Sequence, residues 1–130
     1  MGKIERFEDI VAWQKARLLT KAIYQVTREG AFARDFGLNN QIQRASVSIM
    51  SNIAEGFERT SLPDRIQFVG FAKASCAEVR SKLYVALDAK YLSQARFEEL
   101  QTQAQEVARL TGKLRAALIK KRDGGMRDEG

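Results

Sequence analysis

Residues 37–56 read GLNNQIQRASVSIMSNIAEG, and this stretch decides the fold. Its apolar residues recur every three or four positions, which places them on one face of an α-helix. Most of the other positions are small or polar, whereas an ordinary surface helix carries long charged side chains opposite its core face. The pattern therefore predicts a helix that packs closely on more than one side. Its apolar stripe consists of Leu38, Ile42, Ala45, Ile49 and Ile53.

Three further segments show helical periodicity and are separated by breaks that contain glycine or serine. We predict helices over residues 9–29, 37–56, 62–90 and 94–121, with a flexible tail over residues 122–130. Gly56 is expected just past the end of the second helix. Ser61 and Ser93 are expected to cap the third and fourth helices, and Pro63 suits the first turn of the third.

The order of these elements predicts the fold class. No window reads as a strand, and four helices joined by short loops favour an all-α, up-down-up-down antiparallel four-helix bundle. A chain of 130 residues is long enough for one core and too short for two comfortable domains. We therefore assign residues 1–121 to a single domain.

The composition excludes several kinds of chemistry. The sequence has no histidine and a single cysteine, Cys76, so Ser-His-Asp and Cys-His machinery and the usual zinc sites cannot form. No metal site or cofactor is expected. One cysteine also excludes an intrachain disulfide, which suits a reducing cytoplasm. No apolar run approaches the roughly 20 residues that span a bilayer, so no membrane role is expected.

Helix three carries a second apolar stripe around Phe68 and Phe71, interleaved with small residues. Either the bundle buries this helix deeply by itself, or the stripe packs against another copy of the chain; we favour self-association. The polar residues of helix two, including Glu55, are expected to form hydrogen bonds between helices or subunits, with Arg44, Arg80 or backbone N–H groups as donors to that carboxylate. The residues expected to serve assembly or structure are Arg44, Ser48, Ser51, Asn52, Glu55, Gly56, Phe68, Phe71, Ser75 and Glu78.

Several short strings together resemble one known family, the four-helix-bundle proteins first met as reading frames in intervening sequences of 23S ribosomal RNA genes. The resemblance extends over about residues 7–120. It also points to a relationship with the accessory variability proteins of diversity-generating retroelements. With x for a position that carries no match, the strings are FED at 7–9, VxWQKA at 11–16, IY at 23–24, GLxxQIxRA at 37–45, SIxSNIAEG at 48–56 and YLS at 91–93.

The resemblance implies a four-helix bundle that assembles into a ring or barrel, typically a homopentamer, without enzymatic activity. It implies association with nucleic acid, with a reverse transcriptase or a ribosomal RNA particle as a further partner. The sequence departs from the family pattern at Met50, where proline is usual, at Gln43, where a second arginine is usual, and at Ala74-Ser75, where Gly-Ser is usual. These departures affect the interface geometry that the resemblance implies, and leave the fold unchanged.

The net charge is +6, from 22 basic and 16 acidic residues, and it is distributed unevenly. Residues 112–122 contain five cations and no acid, at the C-terminal end of the fourth helix. Such cations either offset the helix dipole or bind phosphate groups. In an up-down bundle this end lies near the start of helix three and the end of helix two. The candidate nucleic-acid-binding residues are Lys113, Arg115, Lys120, Lys121, Arg122, Arg59 and Arg65.

Three functions remain open on these observations. We favour a non-enzymatic homo-oligomer that binds RNA or DNA through charge, with little reading of base sequence. The alternative is a scaffold that binds another protein and has no direct nucleic-acid role. The third is an enzyme built around Glu55, which we disfavour because a lone carboxylate without a second acid or a histidine is poor hydrolytic machinery.

Overall fold

The structure, a computed structural model, describes residues 3–129 and confirms the all-α four-helix bundle. The helices are α1 (Val11–Thr27), α2 (Phe36–Glu58), α3 (Leu62–Asp88) and α4 (Gln94–Glu129). Two short 3-10 turns, Phe7–Asp9 and Gly30–Arg34, precede α1 and α2. Each helix packs against its two neighbours, in the order α1-α2-α3-α4-α1. Within residues 3–129 no strand forms, and no helix is both long and apolar enough to cross a membrane.

The core lies between the four helices and is almost entirely aliphatic. Phe32, on the 3-10 turn before α2, closes one end of it and stacks on Tyr91 with ring centroids 5.2 Å apart. The apolar stripe predicted in α2 provides three of the fully buried side chains. The largest of the fully buried aliphatic side chains are Leu19, Ile23, Ile42, Ile49, Ile53, Val79, Leu83, Leu100 and Val107.

Side-chain caps begin three of the four helices. The Ser61 hydroxyl accepts a bond from the backbone N–H of Asp64, and the Ser93 hydroxyl accepts one from Arg96, which confirms both predicted caps. Asp35 caps α2, since its Oδ1 lies 3.0 Å from the backbone nitrogen of Leu38. Each cap satisfies a backbone donor that the helix itself cannot pair.

Asp35 also ties α2 to the turn between α3 and α4. The hydroxyl of Tyr91 donates to its Oδ2 across 2.8 Å. The bonds from the Leu38 N–H and then from Tyr91 lower the pKa of Asp35 below its ordinary value, because both stabilise the charged carboxylate. The same contact raises the pKa of Tyr91.

Gly56 does not end α2 as predicted, because the helix continues to Glu58. The residue is buried where α2 crosses α3. A Cβ at this position would lie 3.3 Å from the Cβ of Phe68, 3.4 Å from Cγ2 of Val69 and 3.5 Å from the carbonyl oxygen of Arg65. Glycine is therefore needed here for the close approach of two helices, not for a left-handed turn.

The other helix boundaries differ from the prediction at both ends of the chain. Helix α1 is shorter than residues 9–29, because Ile10 is extended and separates it from the preceding 3-10 turn. Helix α4 is longer, continuing past Lys121 to Glu129, so the described part of the predicted tail is helical. The tail contains the Gly124-Gly125 pair, and glycine lowers helix propensity without forbidding the helical conformation.

The cap at Asp35 predicts a pH-dependent stability. Because the folded pKa of this carboxyl is lowered, its stabilising contribution is present above the ordinary value of 3.8 and is lost as the pH falls through the folded value. We expect Asp35→Asn to lower the urea midpoint at pH 7, with the difference from the wild type shrinking below pH 3.8. Tyr91→Phe should show the same trend more weakly. A difference that stays constant with pH would contradict this account.

The contact at Gly56 predicts opposite effects for two identical substitutions. Gly56→Ala should lower the free energy of unfolding by about 1–2 kcal/mol, because overpacking outweighs the gain in helix propensity. Gly37→Ala is the matched control. Its nearest contact would be an Asp35 oxygen at 3.7 Å, so it should raise stability by up to about 1 kcal/mol. Chemical denaturation of both variants checks the predicted order, and equal effects would contradict it.

Candidate nucleic-acid interface

The basic segment lies on the half of α4 that reaches toward the start of α3. With 36 residues, α4 is about 54 Å long at 1.5 Å per residue, longer than any other helix of the bundle. Arg115 lies over Gly70 of α3, and Lys73 of α3 lies over Gly112. This antiparallel register places the first turn of α3 beside the end of the basic segment.

Four of the predicted cations are exposed on α4 itself. Lys113, Lys120 and Lys121 are exposed, and none has an ion-pair partner among the side chains that the structure describes. Arg122 is also exposed, but its Nε lies 3.1 Å from an oxygen of Asp123. The lysines therefore form the part of the predicted cluster whose charge the described part of the chain leaves unneutralised.

Arg59 and Arg65 lie at the same end of the bundle but already have structural contacts. The guanidinium of Arg59 lies 4.4 Å from the ring centroid of Phe68, within cation–π range. Arg65 donates from Nε to the carbonyl oxygen of Arg59 across 2.7 Å, beside the C-terminus of α2. The structure thus gives these two predicted binding residues a role in joining α2 to α3.

Arg115 lies in a groove between α3 and α4 that we call the α3–α4 groove. Its lining consists of Gly70, Lys73, Ala74, Ala77 and Arg115, around a volume of about 380 Å³. No carboxylate lines this groove. The Nε of Arg115 is shielded from solvent and has no hydrogen-bond partner among the described residues. Two cations therefore share one shallow groove with only small neutral residues around them.

Lys73 was missed by the sequence reasoning, which searched for runs of charge along the chain. It is the only cation between Arg65 and Arg80 and belongs to no run. The signal that could have found it is the antiparallel register of α3 and α4. In that register it faces the cationic end of α4, although more than 35 positions separate it from Arg115.

The residues predicted to serve assembly lie mainly along α2 and α3, beside a second groove. The Oγ atoms of Ser48 and Ser75 are 2.9 Å apart. The side-chain amide of Asn52 donates to the carbonyl oxygen of Ser48 at 2.9 Å and to its hydroxyl at 3.0 Å. This groove has a volume of about 370 Å³ and is lined in part by Arg44 and Glu78. The hydroxyls allow α2 and α3 to approach closely and still satisfy their polar atoms.

Glu55 does not take part in this hydrogen bonding. It is exposed, as is Ser51, and no hydrogen bond or ion pair joins its carboxylate to another described residue. Neither Arg44 nor Arg80 donates to it within the described chain, and a contact of Glu55 between subunits stays a prediction. The reason is rotational position, since Glu55 faces outward while Ile53 and Gly56 face the core.

The second apolar stripe predicted in α3 is present on its surface. Phe68 is half-buried and meets Phe71 edge to face, with ring centroids 5.7 Å apart. Phe71 is 47% exposed, and Val85, further along the same side of the helix, is also exposed; Tyr84 lies on another side, against Phe97 of α4. The chain therefore buries one stripe of α3 and leaves a second open.

Residues 8–113 match the family model described as 23S rRNA-intervening sequence protein. The chain belongs to this family. A crystal structure from Bacteroides thetaiotaomicron, described as a protein of unknown function from the S23 ribosomal protein family, is similar with a TM-score of 0.73 and 21% identity. The similarity covers 79% of this chain and 96% of that one. No curated protein matches.

In this member of the 23S rRNA-intervening sequence protein family, the matched segment ends at Lys113. It includes Gly70, Lys73 and Gly112, so most of the residues that form the α3–α4 groove lie inside the segment that matches the family model. Lys120, Lys121 and Arg122 lie beyond it. The identity of 21% to the solved relative supports the shared fold and carries no residue roles.

The described residues include few side chains suited to catalysis. Cys76 is buried, and this burial raises the pKa of its thiol to about 11, so the thiol stays protonated and is a poor nucleophile near neutral pH. No group of three or more metal-ligating side chains occurs within the described residues. Trp13 packs edge to face on Phe7 at 5.1 Å and also lines a surface cleft with Arg17 and Lys21.

Proposed function

We propose that this chain is a non-enzymatic, homo-oligomeric four-helix bundle that binds RNA or DNA through the phosphate backbone. The observation that carries the proposal is the row of exposed lysines on α4, Lys113, Lys120 and Lys121, which no described carboxylate neutralises. The two cations of the α3–α4 groove extend this basic surface onto α3.

The proposed binding is driven by release of counterions. Residues 112–122 hold five cations and no acid, so a phosphate backbone lying along them would displace condensed cations into solution. The dipole of α4 does not account for this charge, because α4 continues to Glu129 and the dipole acts mainly within the last turn of a helix.

The proposed contacts read little base sequence. After Phe97 the chain contains no aromatic residue, so the basic part of α4 offers no ring on which a base could stack. Lysine contacts to phosphate position a protein on nucleic acid without distinguishing one base from another. A ribosomal RNA particle is the partner suggested by the family description, and a reverse transcriptase is a second partner suggested by the resemblance to the accessory variability proteins.

The homo-oligomer is proposed from the open stripe of α3. Exposed aromatic and aliphatic side chains on a helix that is already buried along its other stripe provide a second packing surface. We propose a second copy of the chain as the partner of this surface, because other copies are present wherever the protein is made. The resemblance to known bundles suggests five copies, and a ring would repeat the lysine row once per subunit.

Removing lysines should weaken binding in a salt-dependent way. For Lys120→Ser with Lys121→Ser, we expect weaker binding of a structured or single-stranded RNA and a decrease of roughly 0.7–0.9 in the log–log salt slope per lysine. Fluorescence anisotropy between about 50 and 200 mM salt measures both.

The matched control removes the same charge elsewhere. Lys15 and Lys82 already pair with Glu106 and Glu78 at 3.7 and 3.9 Å, so changing both to serine should affect the slope little. Equal losses in the two double variants would indicate net charge alone. Absence of RNA and DNA binding by the wild type at low salt would count decisively against the proposal.

The assembly should depend on Phe71. We expect Phe71→Ser to reduce the native mass from oligomer to smaller species, because it removes exposed apolar surface from the proposed contact. Phe36→Ser is the control, since Phe36 is 72% exposed but lies at the start of α2, away from the open stripe. Native mass spectrometry checks both variants, and a monomeric wild type would refute the oligomer.

The scaffold function remains the second candidate because the same open stripe could dock another protein. It predicts that reversing the α4 charges leaves function intact while Phe68 and Phe71 substitutions abolish it. The nucleic-acid proposal predicts the reverse sensitivity for the charged residues. Comparing the two sets of variants in one binding assay separates these functions.

A further inference from the structure

The α3–α4 groove has a reciprocal arrangement of glycines and cations. Arg115 of α4 lies over Gly70 of α3, and Lys73 of α3 lies over Gly112 of α4. Both glycines lie inside helices, where glycine is unfavourable relative to alanine because it loses more conformational freedom on folding. Each helix therefore carries an unfavourable residue directly beneath the cation of its neighbour.

Gly70 is the residue that the position of Arg115 requires. A Cβ at Gly70 would lie 3.3 Å from Nε and 4.0 Å from Cδ of Arg115, so with any larger residue the Arg115 side chain would have to shift by a few tenths of an ångström. At Gly112 the added Cβ would lie 3.9 Å from Cε and 4.0 Å from Nζ of Lys73, which is ordinary contact. One glycine thus seats the arginine, and the other only leaves space.

The seated guanidinium is not neutralised by the described part of the chain. Its Nε is shielded and unpaired, which is unfavourable for a buried donor. The groove contains Lys73 as a second cation and no carboxylate, and its remaining lining is Gly70, Ala74 and Ala77. Because Nε is covered, a ligand would bond to the terminal Nη groups of Arg115 and to Nζ of Lys73.

We propose that the α3–α4 groove is a binding site for one phosphate group, held by Arg115 and Lys73. Arginine binds phosphate oxygens through a planar fork of donors, and lysine adds a point charge beside it. The small residues around the groove let a tetrahedral oxyanion approach both cations. The inference deepens the proposed function where that phosphate belongs to nucleic acid, but the site itself does not depend on the lysine row.

The first experiment titrates the ¹⁵N-labelled full chain with inorganic phosphate at constant ionic strength, observing amide signals of residues 70–77 and 112–115. Arg115→Gln and Lys73→Gln should each weaken phosphate binding at least fivefold. Lys21→Gln, at an exposed position on α1, removes the same charge outside the groove and outside the α4 lysine row, and should leave the affinity within twofold. Equal weakening in all three variants would overturn the site in favour of diffuse attraction.

A matched glycine pair tests the geometry without changing any charge. Gly70→Ala should weaken phosphate binding at least threefold by displacing Arg115, whereas Gly112→Ala should leave it unchanged. Arg115→Lys, which keeps the charge but not the fork, should also weaken binding and serves if Gly70→Ala fails to fold. Unchanged affinity in Arg115→Lys and in a folded Gly70→Ala would overturn the proposal.

A second experiment identifies where the phosphate comes from. If it belongs to a nucleic-acid backbone, Arg115→Gln should weaken binding of an RNA that lacks terminal phosphates. If it is a free or terminal phosphate, that RNA should bind both proteins equally while phosphate binding still differs. Phosphate binding with the predicted variant pattern, in a chain that binds no RNA or DNA, would refute the proposed function and leave the site standing. RNA binding with no response to phosphate would refute the groove site and leave the proposed function standing.

Discussion

The close approach of α2 to α3 is the constraint on which the rest of the structure depends. At one point it needs the missing side chain of Gly56, and at another it brings the hydroxyls of Ser48 and Ser75 to 2.9 Å. Small residues let two backbones come near, and the paired hydroxyls avoid unsatisfied polar atoms in the contact. The composition of the 37–56 segment, unusual for a surface helix, follows from this packing.

The packing of α2 against α3 also determines which cations remain free to bind a ligand. Arg59 over Phe68 and Arg65 at the Arg59 carbonyl hold the α2–α3 connection, so their donors are partly committed. The α4 lysines have no such contacts in the described chain. Some of the basic residues thus make contacts within the bundle, whereas others remain available to a ligand. The positions of the helices distinguish the two groups, and the sequence alone does not.

The fold was predictable because its signals are local. Helical periodicity, the serines that cap α3 and α4 and the lone proline each act within a few residues, so sequence alone indicates four helices and their order. The turn between α3 and α4 could not be predicted from such local signals. There Lys90 adopts a left-handed conformation with φ 64°, at a position where glycine is usual, and Tyr91 reaches Asp35 far away in the chain.

By itself the sequence determined the all-α bundle, the absence of histidine chemistry and the concentration of positive charge near the end of α4, since each depends on residue type and short-range spacing. The packing of the helices shows that Gly56 permits helix contact, that Glu55 faces outward and that Lys73 and Arg115 share one groove. Those facts depend on the relative rotation and register of two helices. That geometry is set by many side chains packing at once, and no short stretch of sequence contains it.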